Sequence, residues 1–274
     1  MREGAGESRL TSVRASLRAS LDSPVMTAAG RRLVGLLSLT PGGLRRQEAE
    51  DWIDDDAPAL LLQLRLADER AAEGGARLQM LAPLREAAKL ECPASEEDFG
   101  RYWAMIAAAL ASSEACIRSN GGSHEAAIRE ADNLDAALAA ANARARDLDE
   151  LGRAAQSLAL FVGFLGLGGF ASLAAIERRA AEQAAPRVQA MVIKARGDIA
   201  LARSDHAAAR AAYEEARPIY ARIGAALGEA NCIQSLGDIA LERSDHAAAR
   251  AAYEEARPIY ARIGDALGEA NCLQ

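Results

Sequence analysis

From Gly197 onward the chain is one unit written twice. GDIALARSDHAAARAAYEEARPIYARIGAALGEANCIQ at 197–234 returns as GDIALERSDHAAARAAYEEARPIYARIGDALGEANCLQ at 237–274. The offset is 40 residues, and three of the 38 aligned positions differ: Ala202/Glu242, Ala225/Asp265 and Ile233/Leu273. A fixed period of this size marks a repeat array, in which each unit buries its apolar face only against its neighbours.

Within a unit the spacing predicts two helices. Leu227, Ala230, Ile233, Ser235, Leu236, Ile239 and Ala240 recur at three- and four-residue steps and give Ala226–Arg243 one apolar or small stripe. Asp245 is placed to accept from the free amides of the next helix, predicted over His246–Ile263. That helix carries Ala249, Tyr253, Ala256, Ile259 and Tyr260 on one face and ends at Gly264. Pro258 inside it removes an amide donor and predicts a slight bend. Small residues at Gly237, Ala249 and Ala256 allow close helix approach, with Tyr253 filling the gap.

This pattern resembles a tetratricopeptide repeat (TPR). The Leu-Gly pair matches Leu236–Gly237, the small residue Ala249, the aromatic Tyr253 and the next alanine Ala256. The 40-residue period is similar to a longer subtype, whose Gly-x-x-x-Gly-Glu-Ala link is met at Gly264–Ala270. The resemblance implies a superhelix whose first helices line a concave groove for a partner peptide. Carried over by position, that face holds Asn231, Gln234, Asp238 and Glu242, continued by Asn271 and Gln274. Asparagine and glutamine can clamp a peptide backbone through paired amide bonds. The bland alternative is a solvated helix face.

Charge and cysteine usage narrow the classes. The 32 basic residues are outnumbered by 39 acidic ones, a net charge of −7, which argues against nucleic acid as the partner of the whole chain. The four cysteines form no CxxC; Cys232 and Cys272 are one repeat position, and Cys92 and Cys116 stand alone. This is reduced, cytoplasmic usage, and the polar N-terminus shows no signal peptide.

Upstream, residues 1–30 read as a polar helical stub. Over 31–92 the pattern predicts helices at Arg31–Leu39, Gln47–Ile53 and Ala57–Leu66, then strands at Arg65–Arg70 and Ala76–Leu81 across a Glu73-Gly74-Gly75 turn. A further helix follows at Pro83–Leu90. Three helices and a hairpin are a winged-helix plan. The phrases RRLVGLLSLTPGGL at 31–44 and RLQMLAPLREAA at 77–88 resemble the winged-helix module that follows the nucleotide-binding core of bacterial STAND-type, NB-ARC-related regulators. Where some members carry Met-His-Asp, this chain has Met80, Leu81 and Ala82, so the resemblance does not extend to nucleotide sensing. A winged helix also raises DNA contact through Arg31, Arg32, Arg45 and Arg46. Asp54, Asp55 and Asp56 before the third helix would repel phosphate, and a packing role is the competing reading.

Residues 93–150 read as a helical connector interrupted at Ser119–Ser123. There EADNLDAAL at 130–138 resembles the phrase leading into the TPR array of the same regulators. His124-Glu125 lacks the second histidine of a zinc site, which would fall at Ile128, and no metal or other cofactor is expected. Ala154–Ile176 carries no charge, enough length to span a bilayer, but Gly163, Gly166, Gly168 and Gly169 interrupt it. The preferred reading is a buried hairpin, Gln156–Leu165 and Phe170–Ala185 about a Gly166–Gly169 turn, forming a degenerate unit at 157–196 before the units at 197–236 and 237–274. No Walker A motif or catalytic grouping is present, and no enzyme activity is expected of this chain.

The expected architecture is mainly α: a TPR-like α-α superhelix over 151–274 preceded by a small winged-helix module. Its expected role is a protein-interaction sensor of a STAND-type regulator, with the polypeptide reading as a piece of a longer protein. DNA binding through the wing, or a fragment that self-associates through the open repeat end, are the alternatives.

Overall fold

The computed structural model describes residues 3–119, 123–165 and 170–273. The chain divides into two compact units, one of residues 1–109 with 124–140, the other of residues 110–123 with 141–274.

The N-terminal unit begins with α1 (Glu3–Leu21), which buries Leu17 and Leu21 and packs on α5. Next come α2 (Ala28–Leu37), β1 (Leu44–Arg45), α3 (Arg46–Trp52), α4 (Ala57–Gln63), β2 (Asp68–Arg70), β3 (Arg77–Gln79) and α5 (Ala82–Glu91). Thr27 starts α2 by accepting from the Gly30 amide at 2.9 Å, and Leu33, Val34, Leu36 and Leu37 of that helix fill the core. The expected third helix stops three residues early. Arg65 takes a positive φ of 55°, which turns the chain between α4 and β2. The strands form an antiparallel sheet in the order β1-β3-β2, with Leu78 facing Leu44 on one side and Glu69 on the other. β1 was not foreseen. Gly43, at φ 80°, allows β1 to lie on β3, since a Cβ there would sit 2.5 Å from the Leu78 carbonyl oxygen.

Helix α6 (Glu96–Ser119) runs from this unit into the next, followed by α7 (Glu125–Arg129), a 3-10 turn at Ala131–Asn133 and α8 (Leu134–Ala143). Glu130 and Asn133 belong to the N-terminal unit and build its polar centre. All five N–H groups of Arg77 are used: two reach the Glu130 carboxylate at 2.9 and 3.0 Å, and three reach the carbonyls of Gly42, Gly43 and Arg129. Asn133 closes the loop, accepting from the Gly42 amide and donating to the Gly43 carbonyl and to Glu130.

The second unit is the TPR-like α-α superhelix. It comprises α9 (Leu148–Leu165), α10 (Ser172–Glu182), α11 (Pro186–Ala202), α12 (His206–Arg222), α13 (Ala226–Glu242), α14 (His246–Ile263) and α15 (Ala266–Asn271). The turns fall every 20 residues. Ala184, Ser204, Gly224, Ser244 and Gly264 all take a left-handed φ of 51–74°. At each, the following amide bonds back to a carbonyl five residues earlier, as Asp205 to Ala200 and Asp245 to Ala240. Asp205 and Asp245 cap α12 and α14 by accepting from Ala208 and Ala248 at 3.1 Å. Ala184 lies one 40-residue period before Gly224, so the backbone period reaches upstream of the readable repeat. Helix α14 continues through Pro258. The predicted turn at Gly166–Gly169 lies outside the described residues.

Two tyrosines per unit organise the packing. Tyr213 of α12 fills the space over Gly197 of α11, where a Cβ would meet its ring at 2.8 Å; Tyr253 and Gly237 repeat this at 2.7 Å. Tyr220 lies under Gly228 of the next pair at 2.5 Å, and Tyr260 under Gly268 at 2.4 Å. These close approaches need glycine on the facing helix. The same residues differ in cover between copies. Ala212, Tyr213 and Ile219 are buried beneath α13, whereas their copies Ala252, Tyr253 and Ile259 are half-buried. No described helix is long and apolar enough to cross a membrane.

Candidate partner-binding groove

The predicted groove residues Asn231, Gln234, Asp238 and Glu242 follow one another on α13 at steps of three, four and four, and therefore share a stripe. The first three are half-buried and Glu242 is exposed. Asn271 is exposed on α15, and Gln274 lies outside the described residues.

The tyrosines of α14 reach this stripe from behind. The Tyr260 hydroxyl lies 2.7 Å from Asn231 Oδ1 and 2.8 Å from Gln234 Oε1. The Tyr253 hydroxyl donates to Asp238 Oδ1 at 2.8 Å. Tyr260 is buried, so the two side-chain amides, one accepting from its hydroxyl and the other turned to donate to it, satisfy a phenol that would otherwise lack a partner inside the protein. Among the described residues neither amide is bonded to any side chain but Tyr260.

The first copy presents the same stripe on α11 with different chemistry. Met191 and Lys194 stand where the second copy has Asn231 and Gln234. Lys194 Nζ donates to both oxygens of Asp198 at 2.9 and 2.8 Å, lies 6.0 Å from the centre of the Tyr213 ring, and shares Asp198 with the Tyr213 hydroxyl at 2.9 Å. Sequence reading passed over this Lys-Asp-Tyr triad because Lys194 precedes the readable repeat. The recurring fifteen-residue step from Asp198 to Tyr213 and from Asp238 to Tyr253 was the available signal.

Charge states follow from this packing. Burial pushes the Asp238 carboxyl above its ordinary value; the Tyr253 hydroxyl opposes the shift and neighbouring Glu242 adds to it. Burial and the Asp198 carboxylate raise Tyr213, which stays a neutral donor. Buried Cys232 is pushed up to about 12 and is an inert thiol at neutral pH. Glu242, one of the three positions differing between copies, lies 3.4 Å from His206 Nδ1 of the preceding unit.

The four arginines considered for DNA are all engaged by acceptors within the N-terminal unit. Arg32 holds the buried Asp98 at 3.1 and 2.5 Å, and Arg45 pairs with Glu48. Arg46 bridges Glu50 and Glu69, and Arg31 donates to the Leu21 carbonyl beside Asp22. Met80 is buried on the strand side of α5, and Leu81 is exposed at that helix's start. Among the described residues no group of three or more histidines, cysteines or carboxylates could hold a metal ion.

No curated protein matches the chain. A solved structure, described as a Signal Transduction ATPase with Numerous Domains (STAND) protein with a tetratricopeptide repeat sensor from Pyrococcus horikoshii, aligns at 13% identity with a TM-score of 0.35. That alignment covers 90% of this chain and 46% of the other, so the chain spans less than half the length of that protein. Residues 189–262, which hold α12, α13 and most of the groove stripe, match the tetratricopeptide repeat family model.

Proposed function

We propose that this chain is a protein-interaction module that holds an extended peptide segment along the first helices of its repeats, as the sensor part of a STAND-type regulator. One observation carries the reading. The Tyr260 hydroxyl meets both Asn231 and Gln234, donating its one proton to one amide oxygen and accepting from the other amide, so both side chains are fixed from the interior and each keeps an N–H donor with which to grip a carbonyl of a peptide backbone. A merely solvated face has no reason to be oriented from the protein interior. The DNA alternative, through Arg31, Arg32, Arg45 and Arg46, has to displace the carboxylates paired with all four.

The packing also decides how to test the proposal. Removing both amides would orphan the buried Tyr260 hydroxyl, at about 1–3 kcal/mol, and would mix folding with binding. Asn231→Ala and Gln234→Ala made singly each leave that hydroxyl one amide partner. Each should weaken a partner captured by the intact protein by roughly tenfold, the value of one net hydrogen bond, with the unfolding midpoint little changed. Two variants that bind the partner as the parent does would sink the reading.

A further inference from the structure

The two copies of the repeat offer an internal comparison at one position. Asp198 and Asp238 are equivalent, and each accepts from the tyrosine fifteen residues on, Tyr213 or Tyr253. In the first copy the carboxylate also receives both bonds of the Lys194 ammonium. In the second copy Gln234 replaces that lysine, its side-chain amide meets the Tyr260 hydroxyl, and no cation is paired with Asp238 among the described residues. The second copy gains Glu242 where the first has Ala202, one turn beyond Asp238. Glu242 lies 3.4 Å from the His206 imidazole of the preceding unit. The same carboxylate-tyrosine pair therefore appears once filled by an ammonium and once without one.

We infer that Asp238, with Tyr253 behind it and Glu242 beside it, is a receiving site for a lysine or arginine side chain of the bound peptide. The first copy shows the chemistry of the occupant, because Lys194 makes there the contact that the partner's side chain makes at Asp238. This rests on the groove reading above and adds a class of ligand to it: a basic segment, held by its side-chain cation as well as by its backbone. The raised Asp238 carboxyl accords with an acid that is half-buried before its counter-charge arrives. A carboxyl raised in the folded state costs stability as pH climbs through its folded value. Asp238→Asn, which keeps an acceptor for Tyr253, should therefore leave the thermal midpoint at pH 7 unchanged or higher.

The test uses an unstructured peptide with three lysines spaced by Gly-Ser, and the same peptide acetylated on its lysines. Carboxyl-carbon NMR of Asp238 should respond to the first peptide. Affinity should fall at least tenfold on acetylation, in Asp238→Asn, and in Gln234→Lys, which supplies the counter-charge in cis as Lys194 does. In Gln234→Lys without peptide, the Asp238 titration should move down. Equal binding of both peptides, or no change in Asp238→Asn, overturns the cation site. A captured partner that responds to Asn231→Ala yet ignores Asp238→Asn overturns this inference alone and leaves the groove reading standing.

Discussion

Replacing Arg77 by methionine should cost the N-terminal unit about 3–5 kcal/mol, the usual penalty for removing one partner of a buried ion pair. Arg77 and Glu130 are nearly sealed from solvent, at 7% and 3% exposure. The lost guanidinium would strand the Glu130 carboxylate and the carbonyls of Gly42 and Gly43, all of which accept from it. Asn133 still donates to Glu130 and Gly43, so the site would not be wholly stripped. Urea unfolding of Arg77→Met, of Glu130→Leu and of the pair decides the matter. The double variant should be less destabilised than the two single costs added together, because it leaves no unpaired buried charge. Additive costs would mean that the two groups do not act on each other.

The second large effect is expected at Tyr213. Tyr213→Ala should destabilise the repeat unit by about 3–5 kcal/mol, as for deletion of a fully buried aromatic ring. The same change at Tyr253 should cost clearly less. Both tyrosines sit over a glycine and donate to an aspartate, and their local sequences are nearly identical. They differ in cover: α13 closes over Tyr213, which is 0% exposed, while Tyr253 remains half-buried. The pair is thus a control built into the chain. Equal costs in thermal or urea unfolding would show that cover by the next helix contributes little to the array.

The repeat was legible because local signals and packing agree there. Asp245 caps the helix it was expected to cap, Gly264 takes the left-handed turn, and the Tyr253–Gly237 contact is the one the small-residue spacing implies. The expected helix bounds at His246–Ile263 match those found, since cap and turn residues mark both ends. Elsewhere the deciding contacts were non-local. Arg32 looked like part of a basic cluster, but its partner Asp98 lies 66 residues away. Glu130 and Asn133 read as part of a connector, yet they fold into the first unit through bonds to Arg77, Gly42 and Gly43. A two-residue strand such as β1 has no periodicity to detect. Within the candidate groove, the stripe of polar residues could be read from the helix period, but the tyrosine hydroxyls behind it could not. Tyr253 and Tyr260 sit on the apolar face of α14, where a ring is first read as packing, and their hydroxyls reach across to α13.

The central claim is that the partner lies on the first-helix stripe of the repeats. Amide-resolved mapping of a partner captured by the intact protein addresses it directly. The account predicts shifts concentrated on α11 and α13 at Lys194, Asn231, Gln234, Asp238 and Glu242. A footprint on the outer faces of α12 and α14, or on the N-terminal unit with this stripe silent, would contradict it.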